Sequence, residues 1–101
     1  MLKTINVTED DIKHGRPCDA ENCAVARAIE RCVQEDVEVF VGPTFIRFNQ
    51  GFVRKGEDLL VETPKVAGDF IADFDNDFLF PLKPITFTLE IPEQLLKANY
   101  K

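Results

Sequence analysis

Apolar and polar positions alternate, cluster at helical spacing, or break at turn residues along this chain, and those three patterns predict its elements. Ile5 and Val7 alternate with polar neighbours and predict a short first strand over residues 4–7. Thr8-Glu9-Asp10-Asp11 then sets a Thr three residues before an acid. That is a capping box, in which hydroxyl and carboxylate satisfy each other's orphan backbone amides. A short helix follows to His14, with Gly15 placed to end it. Asp19 predicts the N-cap of a longer helix over about residues 20–34. Ala24, Val25, Ala28, Ile29, Cys32 and Val33 share one sector of it, and Arg27, Glu30 and Arg31 fall opposite. Val37, Val39 and Val41 alternate, Gly42-Pro43 signals a turn, and residues 44–48 predict the next strand, with Phe45 and Ile46 on opposite faces. Residues 52–54 and 59–62 are shorter apolar runs that predict further strands of a meander.

Thr63-Pro64 begins a second long helix, expected over about residues 64–75. Val66, Ala67, Phe70, Ile71 and Phe74 span about 140° of it and define a buried face. Ile85, Phe87, Leu89 and Ile91 alternate with polar residues, the cleanest half-buried strand of the chain. Pro92 can open a last short helical segment through Leu96. Strands in the middle with helices on either side predict an α+β fold. The expected form is a single domain over residues 1–101, a mostly antiparallel sheet of about four to five strands with both long helices on one face.

Composition narrows the function. The chain has 101 residues and a net charge of −6, one folding unit with enough buried surface to need neither metal nor disulfides. The negative charge argues against a general nucleic-acid binder and a polybasic membrane binder, both of which need a positive surface. Nothing approaches the ~18–20 apolar residues of a membrane span. The first residues carry no apolar signal core and include the acids Glu9, Asp10 and Asp11, so a cytoplasmic location is expected. Cys18, Cys23 and Cys32, an odd set without framework spacing, are then expected as reduced thiols.

No motif carries a strong chemical signal. His14, Cys18 and Cys23 are the residues a zinc- or thiol-dependent enzyme would use. Their spacing lacks the C-x2-C knuckle, and Cys23 and Cys32 fall on opposite sides of a straight helix. Cys23 is expected on the polar side of its helix, with first-turn position and Arg27 both lowering its pKa. The run Asp73-Phe74-Asp75-Asn76-Asp77 has the start of a calcium loop, but Phe78 stands where the loop needs Gly and Pro84 where it needs Glu. Neither metal nor cofactor is expected.

Charge layout is more informative. No Lys or Arg falls between Lys65 and Lys83, where Asp69, Asp73, Asp75 and Asp77 lie, and Asp69, Asp73 and Asp77 recur every four residues opposite the Phe face. Conversely, the span from Gly42 to Gly56 holds Arg47, Arg54 and Lys55 and no acid. An acidic helix and a basic hairpin region set partner choice and steer association.

Taken together, the strings Thr8 to Gly15, Cys23-Ala24-Val25-Ala26, Phe70-Ile71-Ala72-Asp73-Phe74-Asp75 and Pro84 to Ile91 resemble a set of short proteins encoded by bacteriophages and bacteria. In that set the first strand leads to a helix with a Cys-Pro-x-Ala core, where this chain has Ala24 after Cys23. The resemblance implies a small cytosolic accessory protein and brings no reaction with it. The expected function is a non-enzymatic protein-binding module, a phage-encoded modulator or inhibitor of a host or defence protein. An acidic, nucleic-acid-mimicking surface on Asp69, Asp73, Asp75 and Asp77 would suit a basic nucleic-acid-binding partner. Two other readings are a small thiol or zinc enzyme on Cys18, Cys23 and His14, and a homodimer or larger homo-oligomer through sheet edges or a Phe patch.

Overall fold

In a computed structural model that describes residues 1–50, 58–75 and 82–97, the chain folds as an α+β domain. Element order is β1 (Leu2–Val7), α1 (Glu9–His14), α2 (Ala24–Glu30), β2 (Val37–Val41), β3 (Phe45–Gln50), β4 (Asp58–Glu62), α3 (Lys65–Asp75) and β5 (Ile85–Glu90), then a 3-10 turn at Glu93–Leu95. The five strands form two antiparallel sheets: β1 pairs with β5, and β2, β3 and β4 form a meander in that order. The expected single sheet is thus divided. The first and last strands find each other across the whole chain, with Ile5 opposite Phe87 and Val7 opposite Ile85, and α2 packs against both β1 and β2. The run at residues 52–54 lies outside the described residues.

Alternation decides which side of each strand is buried. Ile5 and Val7 on β1, Val37, Val39 and Val41 on β2, Ile46 and Phe48 on β3 and Phe87 and Leu89 on β5 face one continuous core. It is completed by Ala24, Val25, Ala28 and Ile29 of α2 and by Ala67, Phe70, Ile71 and Phe74 of α3. The small alanines of α2 let its backbone come close to the strands, as their spacing implies.

Local signals at the first helix hold. Thr8 Oγ1 accepts from the Asp11 amide at 3.2 Å, and the Thr8 amide donates to Asp11 Oδ2 at 2.9 Å. Gly15 ends α1 with φ −71°, outside the left-handed region that usually selects glycine. Its reason is space: a Cβ there would stand 2.6 Å from the Ala24 nitrogen and 2.7 Å from the Asp11 carbonyl oxygen.

The second helix is shorter than its apolar periodicity suggests, Ala24–Glu30 instead of residues 20–34. At its front, Asp19 Oδ1 accepts from the amides of Glu21 and Asn22 at 3.1 Å each, so the carboxylate organises a turn that competes with helix. The N-cap is Cys23, whose Sγ accepts from the Ala26 amide at 3.4 Å. At its rear, Val33 leaves the helix to bridge Leu96, and the Gln34 amide donates to Leu95. The third helix begins where Thr63 donates its hydroxyl to the Gly42 carbonyl at 2.8 Å. A Cβ on Gly68 would stand 2.8 Å from the Pro43 carbonyl oxygen, so α3 is seated directly on the β2–β3 turn.

Candidate functional site

The acidic stripe is only partly a free surface. Asp69 is exposed and Asp73 half-buried on α3. Lys65 Nζ reaches Asp69 Oδ2 at 2.9 Å, an exposed pair of small energetic weight. Asp75 is tied into the fold, since its Oδ1 accepts from the Cys18 amide at 2.8 Å. Cys18 sits at φ +59°, in the left-handed region, a conformation a non-glycine residue adopts at a cost of roughly 1–2 kcal/mol. Asp75 therefore clamps a bent loop to the end of α3. Asp77 lies outside the described residues.

Below that clamp is a cleft of about 190 Å³ lined by Cys18, Asp19, Ala20, Cys23, Val41, Ile71 and Asp75. It joins two of the three residues expected of a thiol site, but in the wrong electronic state. Cys23 is 4 % exposed, not on the polar side of its helix. Burial pushes its thiol pKa up, and the Asp75 and Asp19 carboxylates push the same way. The expected lowering fails because position 23 caps the helix from inside the core. His14 stands on the exposed end of α1, its Nδ1 3.0 Å from Asp10 Oδ1. Among the described residues no group of three His, Cys, Asp or Glu side chains could hold an ion. Alkylation of the native protein near pH 8 is expected to modify Cys18 at least tenfold faster than Cys23 or Cys32, because Cys18 is exposed and the other two are buried, and burial also raises the Cys23 thiol pKa. Equal rates at Cys18 and Cys23, read by peptide mass mapping, would contradict the burial of Cys23.

Sequence reasoning missed the strongest polar cluster. Asp11 is fully buried, and Arg31 holds it bidentately, Nη1 to Oδ1 at 2.5 Å and Nη2 to Oδ2 at 2.7 Å. Arg31 Nη2 also donates to the Asn6 carbonyl at 2.9 Å. Arg27 Nε lies 3.5 Å from Asp11 Oδ1, and its Nη2 donates to Asp10 Oδ2 at 3.3 Å. Burial alone would raise the Asp11 pKa, but the bonds from Arg31 and Thr8 outweigh it and the carboxyl lies below its ordinary value. From opposite the apolar face, Arg27 and Arg31 clamp α1 and the end of β1 to α2. Their spacing of one helical turn was the available signal, and its target twenty positions upstream was not.

The remaining feature is the outer face of the three-stranded sheet. Register places Phe40 opposite Arg47 and Arg47 opposite Leu60, one row across three strands, with Phe45 opposite Glu62 in the next. The Arg47 guanidinium carbon lies 4.2 Å from the centre of the Phe40 ring, a cation–π contact. Phe45 is 52 % and Leu60 59 % exposed. Of the expected basic group, Arg47 belongs to this face, while Arg54 and Lys55 lie outside the described residues. In the smaller sheet the outward positions Thr4 opposite Thr88 and Asn6 opposite Thr86 are polar, and the exposed Leu2 opposite Glu90 is its one apolar outward residue among these pairs. No helix among the described residues is long and apolar enough to cross a membrane. Comparison with protein-family models, curated proteins and solved structures found no match to this chain.

Proposed function

We propose that this chain is a small, non-enzymatic protein-binding module that presents the outer face of β2, β3 and β4 to its partner. The observation that carries the reading is the row Phe40–Arg47–Leu60 with Phe45 beside it. Aromatic residues and arginine are enriched at interface centres, and large apolar groups grouped on one exposed face mark interaction sites. Arg47 is held against Phe40, so a partner meets a cation and a ring already in position, which reduces the ordering cost of binding.

The resemblance to short bacteriophage and bacterial proteins supports a role as modulator or inhibitor of a host or defence protein in the bacterial cytosol. The acidity of the chain supports a basic partner, including one that binds nucleic acid. In that reading Asp69 and Asp73 steer the encounter from α3 and the sheet face makes the contact, because charge acts at long range on the association rate. The buried, acid-flanked state of Cys23 weighs against a thiol enzyme. A homodimer through the sheet face is the competing arrangement.

The test is recovery of a partner by affinity purification from a bacterial lysate, followed by titration against variants. Phe45→Ser is expected to weaken binding by tenfold or more, since a central aromatic anchor contributes ~2 kcal/mol or more. Its stability should stay within ~0.5 kcal/mol of the parent, as for other surface changes. Asp69→Asn/Asp73→Asn is expected to lower the association rate and its salt dependence, with little change in dissociation. Unchanged affinity of Phe45→Ser would overturn the reading.

A further inference from the structure

We infer that the edge of β4, beyond which no described strand lies, is completed by an extended segment of the partner, one with three apolar residues between two basic ones. This rests on the reading of the sheet as the binding surface and names what occupies its open side. The sheet has two edges, and they differ. At β2 the outward amides of Val37 and Val41 are already taken, donating to the Gln34 and Ala20 carbonyls at 3.0 and 2.9 Å. Both ends of that edge are therefore closed by the segments flanking α2. At β4 the Thr63 amide donates to Thr44 at 2.9 Å, which fixes the parity of the strand. Amides at positions 59 and 61 face β3, and those of Leu60 and Glu62 face away from it. No strand among the described residues lies beyond them.

Side chains point to the same edge. Leu60 on the outer face and Leu59 on the inner face are 59 % and 37 % exposed, so both faces of β4 are incompletely covered. An added strand would cover both at once and satisfy the outward amide and carbonyl of Leu60, the arrangement of strand-addition complexes. Charge selects the occupant. The strand begins with Asp58 and ends with Glu62 in a chain of net charge −6. Opposite-charge cross-strand pairs stabilise and like-charge pairs destabilise. The complementary segment is basic at the two positions facing residues 58 and 62 and apolar at the three between. A second copy fits poorly, since two antiparallel β4 strands centred on Leu60 would set position 58 against position 62, acid against acid.

The test uses the intact chain and the synthetic peptide Ser-Lys-Val-Ile-Val-Lys-Ser, capped at both ends, with a glutamate-for-lysine version and a version N-methylated on its edge-facing amides. Binding of the lysine peptide at least tenfold tighter than either control, with slowed amide exchange at Leu60 and Glu62, is expected. Equal binding of the N-methylated peptide would overturn strand addition, and so would protection of β2 instead of β4. Leu60→Pro removes an outward amide without touching a bond to β3 and should abolish the binding, whereas Leu60→Thr, which keeps the amide, should retain most of it. Should Leu60→Pro not fold, the N-methylated peptide alone decides. Glu62→Lys should shift preference toward the glutamate peptide. Peptide binding is read on the parent chain and partner binding on Phe45→Ser, so loss of the first overturns the edge inference and unchanged affinity in the second overturns the face reading, and the two failures are separable. Concentration-dependent dimerisation that protects the Leu60 amide without peptide would overturn the proposed occupant.

Discussion

Replacing Arg31 by Ala is expected to destabilise the fold by about 3 kcal/mol at neutral pH. Removing one member of a buried ion pair leaves the other charged and unpaired, a loss of ~3–5 kcal/mol. The lower end applies because Arg27 Nε still lies 3.5 Å from Asp11 Oδ1, and because Arg31 itself is about half exposed, so its loss lets water approach. Three connections fail together: the bidentate hold on Asp11, the bond to the Asn6 carbonyl, and through them the seating of α1 on α2. A domain of this size should melt about 12 °C lower or more. The pH dependence has a definite sign. The Asp11 pKa is lowered in the folded protein, so the carboxylate contributes stability above its unfolded value of 3.8. That contribution is lost as pH falls through the folded pKa. The gap between parent and Arg31→Ala should therefore be widest near neutrality and narrow in acid, where a protonated Asp11 no longer needs a cation. Urea titrations at pH 7 and pH 3.5 read both parts, and a gap that grows in acid would contradict the assignment.

Phe70→Ala is expected to cost ~3–5 kcal/mol, the range for emptying a buried aromatic site. Phe70 is buried on α3 within the same apolar cluster as Phe87 and Leu89 of β5. Its ring lies 6.0 Å from that of Phe74 with 14° between planes, a stacked pair of the kind that contributes ~0.5–1.5 kcal/mol beyond area burial. With total stability for such domains of ~5–15 kcal/mol, the alanine variant stands close to unfolding. Phe70→Leu, which keeps most of the volume, should lose about 1 kcal/mol. A denaturation midpoint for Phe70→Ala within the range of surface variants would refute the packed face of α3.

What the sequence revealed was local. The capping box at Thr8 and Asp11, the turn at Gly42-Pro43, the apolar face of α3 and the alternation of β5 each depend on neighbours within a few positions, and each is present. What it concealed depends on distant partners. Helix periodicity continued to residue 34, but Val33 leaves to pair with Leu96, more than sixty positions away. Asp11 reads as a cap and Arg31 only as a cation opposite the apolar face, since neither pattern shows that α1 folds back on α2. One sheet became two because β1 bonds to β5 rather than to the meander. Of the candidate residues, Arg47 was chosen for charge alone. Its row with Phe40 and Leu60 follows only from strand register. Cys23 looked activated from position in sequence and is suppressed by its place in the core.

The central claim is that the outer face of β2, β3 and β4 is the working surface, and amide hydrogen exchange with and without the captured partner tests it most directly. Binding is predicted to slow exchange in β3 and β4, with the largest protection at Leu60 and Glu62, and to leave α3 and the Cys18 loop unchanged. Protection confined to residues 65–75, with the sheet unaffected, would contradict it and move the contact to the acidic helix.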